Sequence, residues 1–174
     1  MGVMTKLPKV KSKNGDLFIV MDEDLRVGLG LVARGNNRPV RLGYFFPLEL
    51  IDGASDDSNL LLAPNQSVLV TKFGDFEIRR GNWPFVGKVK DFSFEAWPMP
   101  KFERFVGGSD GPKARIITDY DEERLSEYVF ESEASRLPKD YDLSFVVGGG
   151  MAGAGYLAAQ LEDLLTAKVN SPKR

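Results

Sequence analysis

The sequence contains no cysteine and no histidine. The first absence removes disulfides, thiolate metal sites and cysteine nucleophiles. The second removes the commonest general base and the commonest transition-metal ligand, so serine–histidine catalysis, zinc hydrolysis and histidine phosphotransfer are excluded for this chain acting alone. Long hydrophobic runs are missing too: no stretch approaches the roughly 20 apolar residues of a membrane-spanning helix. Neither sign of charge dominates. Lys and Arg number 23 against 25 Asp and Glu, a formal net charge of −2, and general binding to nucleic acid or an anionic membrane needs a basic surface that this balance does not supply. The first fourteen residues are basic and broken by Pro8, without an apolar core or a small-residue cleavage site. They read as a flexible leader rather than a secretory signal, which places the protein in the cytoplasm.

What is present resembles an ordinary globular chain, 43% apolar and 28% charged over 174 residues. One domain of this size buries roughly 70% of its unfolded surface and needs no staple. Residues 15–174 are therefore read as a single domain. Its organising stretch is 15–47. Residues 17–21 form an apolar, β-favouring run that ends at Asp22, Glu23 and Asp24. Val27, Leu29 and Leu31 then alternate with small or polar residues, the period of a strand with one buried face. Gly28 and Gly30, between them, imply a bulge, a sharp coil or a close neighbour. Gly35, Asn36 and Asn37 make the next turn, and 39–46 a third strand stopped by Pro47. Short turns between consecutive strands imply an antiparallel meander, the wall of a small half-open barrel.

Downstream, 52–59 is a loop and 67–73 a strand. Phe76 and Ile78 alternate with charged residues as in a further strand, Gly81-Asn82 turns the chain, and Phe85 begins another. Trp97 with Pro98 and Pro100 gives an extended, surface-hugging segment, since two close prolines deny both a helix and a central ladder. Residues 107–112 are the strongest loop signal. Residues 115–120 and 126–131 form a hairpin through 121–125, with a helix over 122–136 as the rival reading. Leu157, Leu161, Leu164 and Leu165 fall at helical spacing, so 156–169 is an amphipathic helix. The fold class is α+β: a mostly antiparallel curled sheet with a C-terminal helix packed on it.

Three features invite chemistry. The glycines from Gly148 to Gly155 match a dinucleotide fingerprint between a strand and a helix. No strand and no acidic residue follow Asp163, so the context for ribose binding fails and a glycine-rich turn docking the helix is the better reading. The acidic groups are Asp22, Glu23, Asp24; Asp56, Asp57; and Asp119, Asp121, Glu122, Glu123. They carry no calcium-loop or glycosidase pattern, so each reads as a solvated turn or as a patch that attracts a basic partner. Among the many aromatics, Phe45 and Phe85 read as core, while Trp83 and Trp97, each beside a proline, suit either a core or a recognition surface. Neither a metal nor a cofactor is expected.

The order of motifs GDLFIVMDEDLRVGLGLVARG, YFFP, IRRGNWPFVGKV and WPMPKFERF, with a looser echo in YLAAQLEDLL, resembles immunity protein family 26 across residues 13–106. Members are bacterial antidotes encoded beside polymorphic toxins. The resemblance implies a non-catalytic protein that binds and blocks a cognate toxin inside the producing cell. Contacts are then expected at Asp22, Glu23, Asp24, Trp83, Trp97, Asp119, Asp121, Glu122 and Glu123. The alternative is a small-barrel adaptor or peptide-binding module anchored by the two tryptophans.

Overall fold

The computed structural model describes residues 11–35, 38–52, 59–107, 111 and 113–170. The start of the leader, the Asn36-Asn37 turn, the loop bearing Asp56 and Asp57, and most of the 107–112 loop lie outside them. β1 (Asp16–Asp22), β2 (Leu25–Arg34) and β3 (Val40–Phe46) form the expected antiparallel meander. The chain continues through α1 (Glu49–Asp52), β4 (Asn59–Leu60), β5 (Leu69–Gly74), α2 (Phe76–Arg80), β6 (Phe85–Val89), β7 (Lys101–Val106), β8 (Ala114–Tyr120), β9 (Tyr128–Glu133), β10 (Val146–Gly148), β11 (Met151–Ala152) and α3 (Ala154–Asn170). A large sheet has the order β11-β5-β3-β2-β1-β6-β4, and a small one β10-β7-β8-β9. Both are open, so in place of a half-open barrel wall the meander sits at the centre of a broad sheet. The α+β class holds, with antiparallel pairing throughout except where β4, β10 and β11 join their neighbours in parallel.

Leu17, Phe18, Ile19 and Val20 are all buried, and an uninterrupted buried strand must have protein on both faces. Leu17 and Ile19 join Leu29, Leu31, Leu42, Tyr44 and Phe46 on one face, where Phe102 of the small sheet and Trp97 complete the cluster. Phe18 and Val20 join Val32, Phe45 and Phe73 on the other, against Trp83 and the Leu157, Ala158 and Leu161 face of α3. The reading of β2 as a strand with one buried face is therefore corrected. Its second face is equally buried, but Gly28 and Gly30 stand there, and hydrophobic periodicity does not register glycine. A Cβ at Gly30 would strike the Phe18 ring, and one at Gly28 the Leu161 side chain. The two glycines are seats for side chains from β1 and α3.

Three further readings change. Residues 11–14, taken as the end of a flexible leader, lie against the sheet: Ser12 is buried and the Lys13 N–H donates to the Asp16 carboxylate at 2.7 Å. Phe76 and Ile78 belong to the short helix α2, which buries Ile78 and ends at Gly81 in the left-handed region, φ 82°; two alternations are too few to separate a strand from a single helical turn. The prolines around Trp97 do break regular structure, but the segment dives inward, with Trp97 packed edge-on to Tyr44 at 5.0 Å and Phe46 at 5.9 Å. The glycine-rich stretch docks the helix as read, though by a route of its own. β10 pairs with β7 of the small sheet, the Gly149 N–H donates to the Glu103 carbonyl at 2.7 Å, and β11 pairs with β5 of the large sheet.

Gly28→Ala should lower stability to urea by about 1–3 kcal/mol by displacing Leu161. In a Leu161→Ala background the same change should cost less than half as much, because the closest collision is gone and only the tight approach to the Phe46 carbonyl oxygen at 3.1 Å remains. An undiminished penalty in that background would show that the seat is not what constrains Gly28.

Candidate interaction surface

The β8–β9 hairpin carries a tightly held acidic loop. The Asp121 carboxylate accepts the N–H groups of Glu123 and Arg124 at 2.9 and 2.8 Å, an Asx turn that short acidic side chains form readily. The Asp121 N–H donates to the Glu127 carbonyl at 2.9 Å, closing the loop across its neck. Leu125 points down into the first core cluster. Arg34, at the end of β2 and 1% exposed, donates through Nε to Glu122 at 3.1 Å and through its other nitrogens to the Ala33 and Phe94 carbonyls. Its guanidinium also lies 3.9 Å from the Phe94 ring centre. The Glu122 end of the pair is half in water, so the ion pair itself contributes little; its effect is to fix the loop's position.

Below the loop is a cleft of about 610 Å³. Its floor holds Lys101 and Asp119, with the Lys101 ammonium 3.0 and 3.1 Å from the two carboxylate oxygens. Tyr141 donates its hydroxyl to Asp119 at 2.8 Å. Partial burial works against the Lys101 charge, but the bonds to Asp119 and Tyr141 outweigh it and raise its pKa. Burial also raises the Tyr141 pKa, helped by the bond to Asp119 and opposed by Lys101. Asp121, Glu122 and Glu123 form the acidic wall, and Met99 and Val129 an apolar rim. Asp119 is paired with Lys101 and Glu122 with Arg34, whereas Asp121 and Glu123 have no cation within ion-pair distance among the described residues. No cluster of three or more acids among the described residues is placed to hold a metal ion.

The nine residues expected at a contact surface fall into three groups. Asp119, Asp121, Glu122 and Glu123 converge on the cleft. Asp22, Glu23 and Asp24 are exposed but cap the opposite end of β2; ten residues of strand at about 3.3 Å each separate them from the Arg34–Glu122 end by roughly 30 Å. Trp83 and Trp97 are each 2% exposed and fill opposite faces of the large sheet. Their reading as recognition anchors is corrected: Trp83 stacks on Phe18 and donates its indole N–H to the Met21 carbonyl at 3.0 Å, an inward arrangement that leaves no ring for a partner. The anchored adaptor loses its anchors with them.

Sequence reasoning missed Tyr128, Val129 and Phe130, exposed by 64%, 68% and 39%, of which Val129 lines the cleft. The available signal was three consecutive large apolar residues in a hairpin strand, since alternation would hide every second one if one face were buried. It also missed Arg34, Lys101 and Tyr141, whose pairing with acids far along the chain no local motif announces.

The family model Immunity protein 26 matches residues 13–112, more than half of the chain. No curated protein and no solved structure matches.

Lys101 and Tyr141 have folded pKa values above their ordinary 10.5 and 10.0. Each therefore contributes stability that is complete below the ordinary value and lost as pH rises through the folded one. Tyr44, pushed up to about 12 by burial against the opposing charge of Arg34, acts in the same direction. Stability to urea should fall above about pH 10, and Tyr141→Phe should make that fall shallower by removing one ionisation. Parallel profiles for the two proteins would contradict the assigned role of Tyr141.

Proposed function

The chain belongs to the immunity protein 26 family, and from that premise we propose that it binds a cognate bacterial toxin, encoded by a neighbouring gene, and neutralises it by occlusion in the cytoplasm of the producing cell. It does so as a single domain that includes residues 11–14, without catalysis. The family match carries this reading. The geometry adds support, because occlusion calls for a rigid surface, and the acidic loop is already ordered by Leu125, Arg34 and the Asx turn. A preordered loop loses little conformational entropy on binding. Asp121 and Glu123, with no cation within ion-pair distance among the described residues, provide the negative potential that draws in a basic toxin surface such as the cleft of a nuclease, and such steering acts chiefly on the association rate.

Capture of the tagged protein from its native cell should yield one stoichiometric partner encoded next door and toxic when expressed alone. A protein recovered without partner would count against the proposal. With that toxin in hand, Glu123→Lys should slow association on the order of fivefold at low salt, and less at high salt. Asp24→Lys, roughly 30 Å away and so about three Debye lengths removed at 0.1 M salt, should leave the rate at that salt within about twofold. Equal slowing by the two substitutions, or none by Glu123→Lys, would exclude the cleft as the steering surface.

A further inference from the structure

Of the four sheet edges among the described residues, three are closed off by strands of only two or three residues: β11 and β4 in the large sheet and β10 in the small one. Very short edge strands are a common protection against unwanted pairing. The fourth edge is β9, six residues long, paired on one side with β8 and flanked by no strand on the other. It carries no lysine and no proline, and over its first half its one blunting device is a bulge at Val129, left without a partner between Tyr128 opposite Tyr120 and Phe130 opposite Asp119. Tyr128, Val129 and Phe130 are exposed there. An incoming strand would meet these apolar side chains directly, with Phe130 already packed against Tyr141 at 5.7 Å between ring centres.

We infer that the free edge of β9 receives a strand of the toxin, extending the small sheet by backbone hydrogen bonding, with a basic side chain of that strand reaching the acidic cleft. This rests on the immunity reading above and adds the partner's binding mode. Val129 belongs both to the edge and to the rim of the cleft, so the two features form one continuous surface. Charge chooses the occupant. Of the seven carboxylates between 119 and 133, five are paired, Asp119 with Lys101, Glu122 with Arg34, Glu127 with Arg124, Glu131 with Arg104 and Glu133 with Arg136, which leaves Asp121 and Glu123 without a cation within ion-pair distance among the described residues. Antiparallel pairing with a second copy of this chain would bring the acidic loop of each to the end of the other's β9, where Arg104 and Arg136 are already paired with Glu131 and Glu133. A basic foreign strand brings a cation of its own to Asp121 and Glu123.

The test uses the full chain and the toxin encoded by the adjacent gene, in an inactivated form, with hydrogen exchange and affinity as readouts. Binding should slow exchange of amides within 128–132 at least tenfold, together with a contiguous segment of the toxin. Tyr128→Ser combined with Val129→Ser keeps the charge unchanged and alters two side chains more than 60% exposed. It should leave thermal stability unchanged and weaken binding at least tenfold. A complex that forms with unchanged exchange at 128–132 and full affinity for the double variant overturns the strand pairing while the immunity reading stands. Self-association of the free protein that the double variant abolishes overturns it in favour of a second copy. No complex with the wild-type chain overturns both readings together.

Discussion

The large sheet has apolar cover on both faces, and this governs which side chains its strands can carry. On β1 the four residues from Leu17 to Val20 must all be hydrophobic because neither face has water to offer. On β2 the same demand produces glycine, since Phe18 and Leu161 already occupy the space that side chains at Gly30 and Gly28 would fill. Charged groups in these strands survive only with partners. Arg41 is 2% exposed and bonds to Asp75 at 2.8 Å; burial pulls its pKa down against the attraction of Asp75. Lys72, 6% exposed, lies with its ammonium 3.5 and 4.9 Å from the ring centres of Tyr120 and Phe102. That pair of cation–π contacts links the large sheet to the small one.

With stability concentrated in the large sheet, the small sheet is left to present a surface. Its hairpin loop is tied to the core by Leu125 and to the end of β2 by Arg34, so the carboxylates it carries are fixed in position while remaining in solvent. The same loop sets the start of β9, which places an exposed apolar strand edge beside a cleft of negative potential. A buried scaffold that holds a preordered, charged and partly apolar rim suits an occluding protein better than one that must reorganise to bind.

Much of this was legible from residue order. The meander of β1 to β3, the β8–β9 hairpin and the C-terminal helix each follow from apolar runs bounded by turn residues, because such local signals are strong over seven or more residues. The second buried face of the large sheet was hidden because glycine registers as a break rather than as a contact. Trp83 and Trp97 stayed ambiguous because a proline neighbour marks a corner equally well inside or outside the core. The acidic residues were identified by type, but only tertiary structure separates the turn at Asp22 to Asp24 from the cleft at Asp119 to Glu123. The partners Arg34 and Glu122 lie 88 residues apart in sequence, beyond any local pattern.

The central claim is that this chain protects a cell against one specific toxin. Co-expressing it with the toxin of the adjacent gene in a sensitive host tests that claim most directly. The account predicts survival that depends on the folded chain being present and that is lost against an unrelated toxin. Death of the host despite abundant, folded protein would contradict it.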